Sequence, residues 1–159
     1  MAVGKILLIL GALLTILGTY VFALLLFFPG IVGSGLGFAM NLFDIIAIDP
    51  GADAFAFYFL LVVFIGWLAS GVLMLVGLKS RIVGIIFSLF PLGVGLILVL
   101  LIYTDILGMM SAIFTLFTLG EHFGDFFPIL VPLGDLGLGV YFLLAGGVLG
   151  IVGSSMPRE

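Results

Sequence analysis

The run IVGIIFSLFPLGVGLILVLLIY, residues 82–103, passes 22 positions without a charged side chain. It has the length and hydropathy that a helix needs to cross a hydrocarbon core about 30 Å thick, for which about 20 apolar residues suffice. Three more runs read the same way, over about 4–28, 50–78 and 135–155. Together they predict an all-α integral membrane protein with four transmembrane helices in a single domain, 1–159. Composition points the same way. Charged residues make up 8% of the chain, against about 25% in a soluble domain. The mean hydropathy is +1.59.

The limits of the runs follow from local chemistry. Pro29-Gly30 stops the first, since proline cannot continue a helix and glycine favours turns. Asp49 or Asp53 is placed to cap the second, with Pro50 suited to a first helical turn. LKSR, 78–81, is the tight polar turn before the third run, and Pro91 inside that run is expected to kink it. The first run has a basic start at Lys5 but is far longer than the 7–15 apolar residues of a signal peptide, so it reads as a retained span. All four basic residues, Lys5, Lys79, Arg81 and Arg158, fall on one side of a four-span chain. The positive-inside rule makes that side, and both termini, cytoplasmic, with the chain in the cell membrane. Seven carboxylates lie on or beside the two outer connections: Asp44, Asp49, Asp53, Asp105, Glu121, Asp125 and Asp135.

Those outer connections are unusually apolar. Residues 31–48 and 105–119 are each expected to form a short apolar helix, the second capped by Asp105 and ended by Gly120. Neither is long enough to span. Phe38, Phe43, Phe114, Phe117, Phe123, Phe126 and Phe127 concentrate in these connections. Three homes fit such apolar segments outside a bundle: the outer membrane interface, a re-entrant hairpin, or a contact with other protein. Of these residues, Phe38, Phe43, Phe114, Phe117, Phe126 and Phe127 are the expected assembly surface. Each half of the chain also reads span, apolar outer helix, acidic turn with proline, span, a likeness of layout rather than of letters.

Between helices in lipid, small residues permit the close approach that hydrophobic burial cannot drive. Gly4, Gly11 and Gly18 recur every seven residues in the first run, and Gly139, Gly146 and Gly153 do so in the fourth. The two runs are antiparallel, so the stripes can face each other at matching depth, Gly11 opposite Gly146. Gly146-x-x-x-Gly150, Gly66-x-x-x-Ser70 and Gly84-x-x-x-Ser88 add further small faces, which could equally serve contacts between subunits.

Little in the chain suggests catalysis. EHFGD offers Glu121, His122 and Asp125 as weak candidates for a metal or proton site. The single histidine falls short of the usual zinc donor set, and a wet polar turn is the simpler reading. Without cysteine, thiol chemistry and iron–sulfur ligation are excluded. Four basic residues cannot track a phosphate backbone, so nucleic acid is not an expected partner. No ionisable group stands mid-span, which argues against ion-coupled transport. Thr15 and Thr19 are expected to bond back to their own helix, and Trp67 to act as a packed anchor. No cofactor is expected.

Four spans, termini on one side, a tight inner turn and two larger outer connections resemble the layout of claudin-like tetraspan proteins. Those proteins are expected to carry a tryptophan-glycine-leucine-tryptophan signature and paired cysteines in the first outer segment. Here the one tryptophan, Trp67, lies within a span and cysteine is absent, so the resemblance stops at layout. The expected function is a small non-catalytic structural or accessory subunit. It would assemble in the lipid bilayer with itself or with other membrane subunits, through apolar outer segments and glycine-rich faces. The alternatives are a channel or carrier for a small solute or cation, and a membrane enzyme or redox-complex subunit.

Overall fold

A computed structural model describes residues 2–28, 30–104, 109–121 and 127–157. Most of the chain is helical, and four helical stretches are long and apolar enough to cross a membrane: Val3–Val21, Gly51–Leu78, Arg81–Tyr103 and Leu138–Ser155. The first comprises helix α1, Val3–Ile16, and a π-helical turn, Leu17–Val21. The second is a short 3-10 turn at Gly51–Asp53, helix α4 (Ala54–Met74) and a second 3-10 turn to Leu78. The third is α5, Arg81–Tyr103, which continues through Pro91 as one helix. The fourth is α7, Leu138–Ser155.

Glycine fixes how these helices meet. A methyl group added at Gly11 would lie 2.7 Å from the Gly146 carbonyl oxygen, one at Gly4 2.7 Å from that of Gly153, and one at Gly18 2.8 Å from that of Gly139. No side chain larger than hydrogen fits at such separations, so the α1 and α7 backbones touch along their whole length. The other side of α7 meets α5 in the same manner. A methyl at Gly84 would fall on the Ser154 hydroxyl, and one at Gly150 on the Ser88 hydroxyl. Helix α7 is therefore the hub, with glycine on two faces. Gly77 closes on Gly84 across the 78–81 turn, and the Arg81 guanidinium donates to the Met156 carbonyl at 2.6 Å. These contacts gather the start of α1, the turn and the end of α7 at one end of the bundle.

The other end is built differently from the all-helical expectation. The first helix does not continue to 28. It ends at Val21, and Leu25–Phe28 forms strand β1. Residues 31–48 divide into strand β2 (Ile31–Gly33) and two short helices, α2 (Gly35–Met40) and α3 (Leu42–Ile46). Residues 109–121 hold α6 (Met109–Leu116) and strand β3 (Leu119–Glu121); Asp105, the expected cap, lies outside the described residues. The three strands make an antiparallel sheet in the order β1-β2-β3, with Leu25 opposite Gly33 and Val32 opposite Gly120. A hairpin of β4 (Pro132–Leu133) and β5 (Leu136–Gly137) precedes α7, so the fourth span starts at 138 rather than 135, and Asp135 sits in the hairpin turn.

The reason for strands is hydrogen-bond accounting. A segment too short to span must still pair its main-chain groups when it lies against apolar surroundings. Residues 22–25 do so with three partners at once. Ala23 N–H donates to Ile129, Leu24 N–H to Gly33, and the Leu24 and Ala23 carbonyls accept from Gly137 and Gly139. Ser34 N–H donates to Thr118 at 3.0 Å, and the Asn41 side-chain amide donates to the Phe117 and Leu119 carbonyls at 2.9 Å each. Both outer connections are thereby stitched into one cap over the bundle.

The main core lies beneath that cap. It joins Leu24, Phe38, Ile45, Phe114 and Leu136 of the connections to Phe57, Phe64, Trp67, Leu98 and Leu143 of the long helices. Phe38 and Phe114, expected on an assembly surface, are therefore corrected to the interior; both are fully buried. Their rings fill the space between the helices at the capped end. Phe38 lies 5.2 Å from Phe64 and Phe114 lies 5.3 Å from Phe64, ring centre to ring centre. Such pairs each contribute about 0.5–1.5 kcal/mol beyond their burial.

Candidate functional site

Three groups of residues compete for a functional role: the buried hydroxyls, the acidic cluster and the outward apolar face of the cap. Four of the buried hydroxyls donate within the fold. Thr15 donates to Gly11, Thr19 to Thr15, Ser70 to Trp67 and Ser88 to Gly84, each within its own helix. Such back-bonding commits the hydroxyl proton inside an apolar bundle. Trp67 is fully buried, with its ring 5.7 Å from Phe64 and nearly perpendicular to it. Among the described residues, Trp67 Nε1 and Ser154 Oγ are buried without a hydrogen-bond partner.

The acidic cluster is only partly in view. Glu121 ends β3, whereas His122 and Asp125 lie outside the described residues, as does Phe126. Asp44, Asp49, Asp53 and Asp135 are exposed. Asp49 accepts a bond from Gly51 N–H at 3.1 Å, which sets the turn into the second span, and Asp53 stands at the N-cap of α4 without a side-chain cap bond. Among the described residues no three metal-ligating side chains come together.

The outward face of the cap is the remaining candidate. Phe43 is 82% exposed, with Met40 and Ile46 exposed beside it on α2 and α3. Phe117 and Phe127 are half-buried. Phe55 (86% exposed), Tyr58 and Phe59 form a second exposed apolar group at the start of α4, where Phe55 and Phe59 stack at 6.3 Å. The expected assembly residues thus divide. Phe43 faces out, Phe38 and Phe114 face in, and the exposed aromatics of α4 were not singled out from sequence. Their signal was present: Phe55 and Phe59, four residues apart, share one helix face beside Asp53. The predicted packing glycines Gly4, Gly11, Gly18, Gly139, Gly146, Gly150 and Gly153 all face other helices of the same chain. They are spent inside the bundle.

The fold defines a class: a mostly helical chain with four helices long and apolar enough to cross a membrane, capped at one end by a small sheet. The chain matches no protein-family model, and comparison with curated proteins and with solved structures found no match.

Proposed function

We propose that this chain is a small, non-catalytic membrane subunit that assembles with copies of itself, or within a larger membrane complex, through the outward face of its cap. The observation that carries the reading is the placement of Phe43. It is 82% exposed on α3, and near it in sequence stand Asp44, itself exposed, and, six residues on, Asp49. Carboxylates hold that helix at the polar boundary rather than in hydrocarbon, so Phe43, Met40 and Ile46 present an apolar surface where lipid tails do not reach. Protein is the natural cover for such a surface.

The packing of the bundle supports the non-catalytic part of the reading. Thr15, Thr19 and Ser88 commit their hydroxyl protons to main-chain carbonyls of their own helices, which leaves none of the three free to donate to a reacting group. We further propose that the end carrying Lys5, Lys79 and Arg81 is cytoplasmic, in the cell membrane, with the cap outside.

The test is the mass of the complex extracted in mild detergent. A particle larger than one 16.8 kDa chain with its detergent is expected. Replacing Phe43 and Ile46 together by serine is expected to reduce it to a single chain without loss of helicity. A particle of one chain in the wild type would overturn the proposal.

A further inference from the structure

A cleft of about 510 Å³ opens on the outside of the bundle between the end of the first span and α4, roofed by Leu42 of α3. Its walls are Ile65, Leu68, Ala69 and Val72, all apolar, and Tyr20. Tyr20 belongs to the π-helical turn, which Phe22 N–H closes on the Leu17 carbonyl at 2.8 Å. Wide turns of this kind recur at functional sites. The Tyr20 hydroxyl donates to the main-chain oxygen of Leu68, which also lines the cleft.

That bond determines what the cleft can recognise. A phenol has one proton to donate and two lone pairs to accept with. The proton is committed to Leu68, so towards a guest the oxygen can only accept. An apolar cleft with one accepting oxygen selects an apolar molecule that brings a hydrogen-bond donor, because in such surroundings an unmatched polar atom is costly. We propose that this cleft binds a membrane-soluble alcohol: an apolar body held against Ile65, Ala69 and Val72, with its hydroxyl donating to Tyr20 Oη. A ketone, ester or ether of the same shape lacks the proton and gains nothing from Tyr20. The inference rests on the membrane placement proposed above, though not on assembly.

Farnesol and its methyl ether are a matched pair, alike in body and differing in the donor. The protein is placed in phosphatidylcholine nanodiscs, and radiolabelled farnesol retained beyond that in empty discs is measured, with each unlabelled compound as competitor. Saturable binding is expected, with the ether competing about two- to tenfold more weakly, the range of one hydrogen bond. Tyr20→Phe should make the two compounds equal. Ala69→Phe, which fills the cleft from an exposed position and leaves the Tyr20 bond in place, should abolish binding with the helical circular dichroism unchanged. Equal competition in the wild type, a preference surviving in Tyr20→Phe, or binding surviving in Ala69→Phe would each overturn the proposal, as would retention no greater than that of empty discs. Failure of the chain to enter the discs would overturn this proposal and the membrane placement together.

Discussion

A single hydrogen atom decides whether α1 and α7 can meet. With a methyl at Gly146 only 2.8 Å from the Gly11 carbonyl oxygen, Gly146→Leu must push two backbones apart. A loss of about 1–3 kcal/mol is expected, the usual cost of overpacking, read as an earlier unfolding midpoint in mixed detergent titrations. Gly93 is the control. A methyl there meets nothing within 4 Å, and Gly93→Leu should leave the midpoint unchanged. Phenylalanines separate in the same way. Phe38 is fully enclosed by Phe64, Trp67 and Phe114, so Phe38→Ala should cost about 3–5 kcal/mol. Phe43→Ala, at an outward position, should change the stability of the isolated chain by less than about 0.5 kcal/mol. Composition puts both residues in one class because it cannot tell which faces of two helices only five and six residues long turn inward.

At the scale of elements, the cap depends on a few side chains that tie one connection to the other. Ser34 follows β2 and caps α2, its hydroxyl accepting from Gly37 N–H at 3.0 Å. Asn41, between α2 and α3, holds two carbonyls of the second connection. Asn41→Ala leaves both carbonyls without that donor, and a loss of about 1–3 kcal/mol is expected. It should appear as faster amide exchange in 117–120 while α4 and α5 keep theirs. The long helices were legible because length and hydropathy suffice to define them. The strands were not. FALLLFF, residues 22–28, is apolar on both faces, and an apolar run of that length reads as helix or strand alike. Pro29-Gly30 reads as a stop in the sequence, although it is equally a turn signal between two strands, and Gly30 has φ +83°. β3, the second partner of β2, and the Ile129 segment that pairs with Ala23 come from the far connection, so no local pattern announces them.

Taken whole, the molecule has two unlike ends. One gathers Lys5, Lys79 and Arg81; the other carries the cap and the exposed acids. The native chain has no cysteine, so single cysteines report sidedness cleanly. A membrane-impermeant maleimide should label Ala52→Cys in intact cells, and Ser80→Cys only once the membrane is opened; the reverse pattern would invert the proposed orientation. The candidate surface was half legible at this scale. Apolar outer connections could be seen in the letters, but not that their inward faces complete the core of the bundle and leave only part of their phenylalanines outside. That completion is the central claim, and hydrogen exchange of the protein in nanodiscs tests it most directly. If the connections are core, the amides of Ala23, Leu24, Ser34 and Phe38, each paired across or within the cap, will exchange as slowly as those in the middle of α4. Exchange of all four at the rate of a free peptide would contradict it.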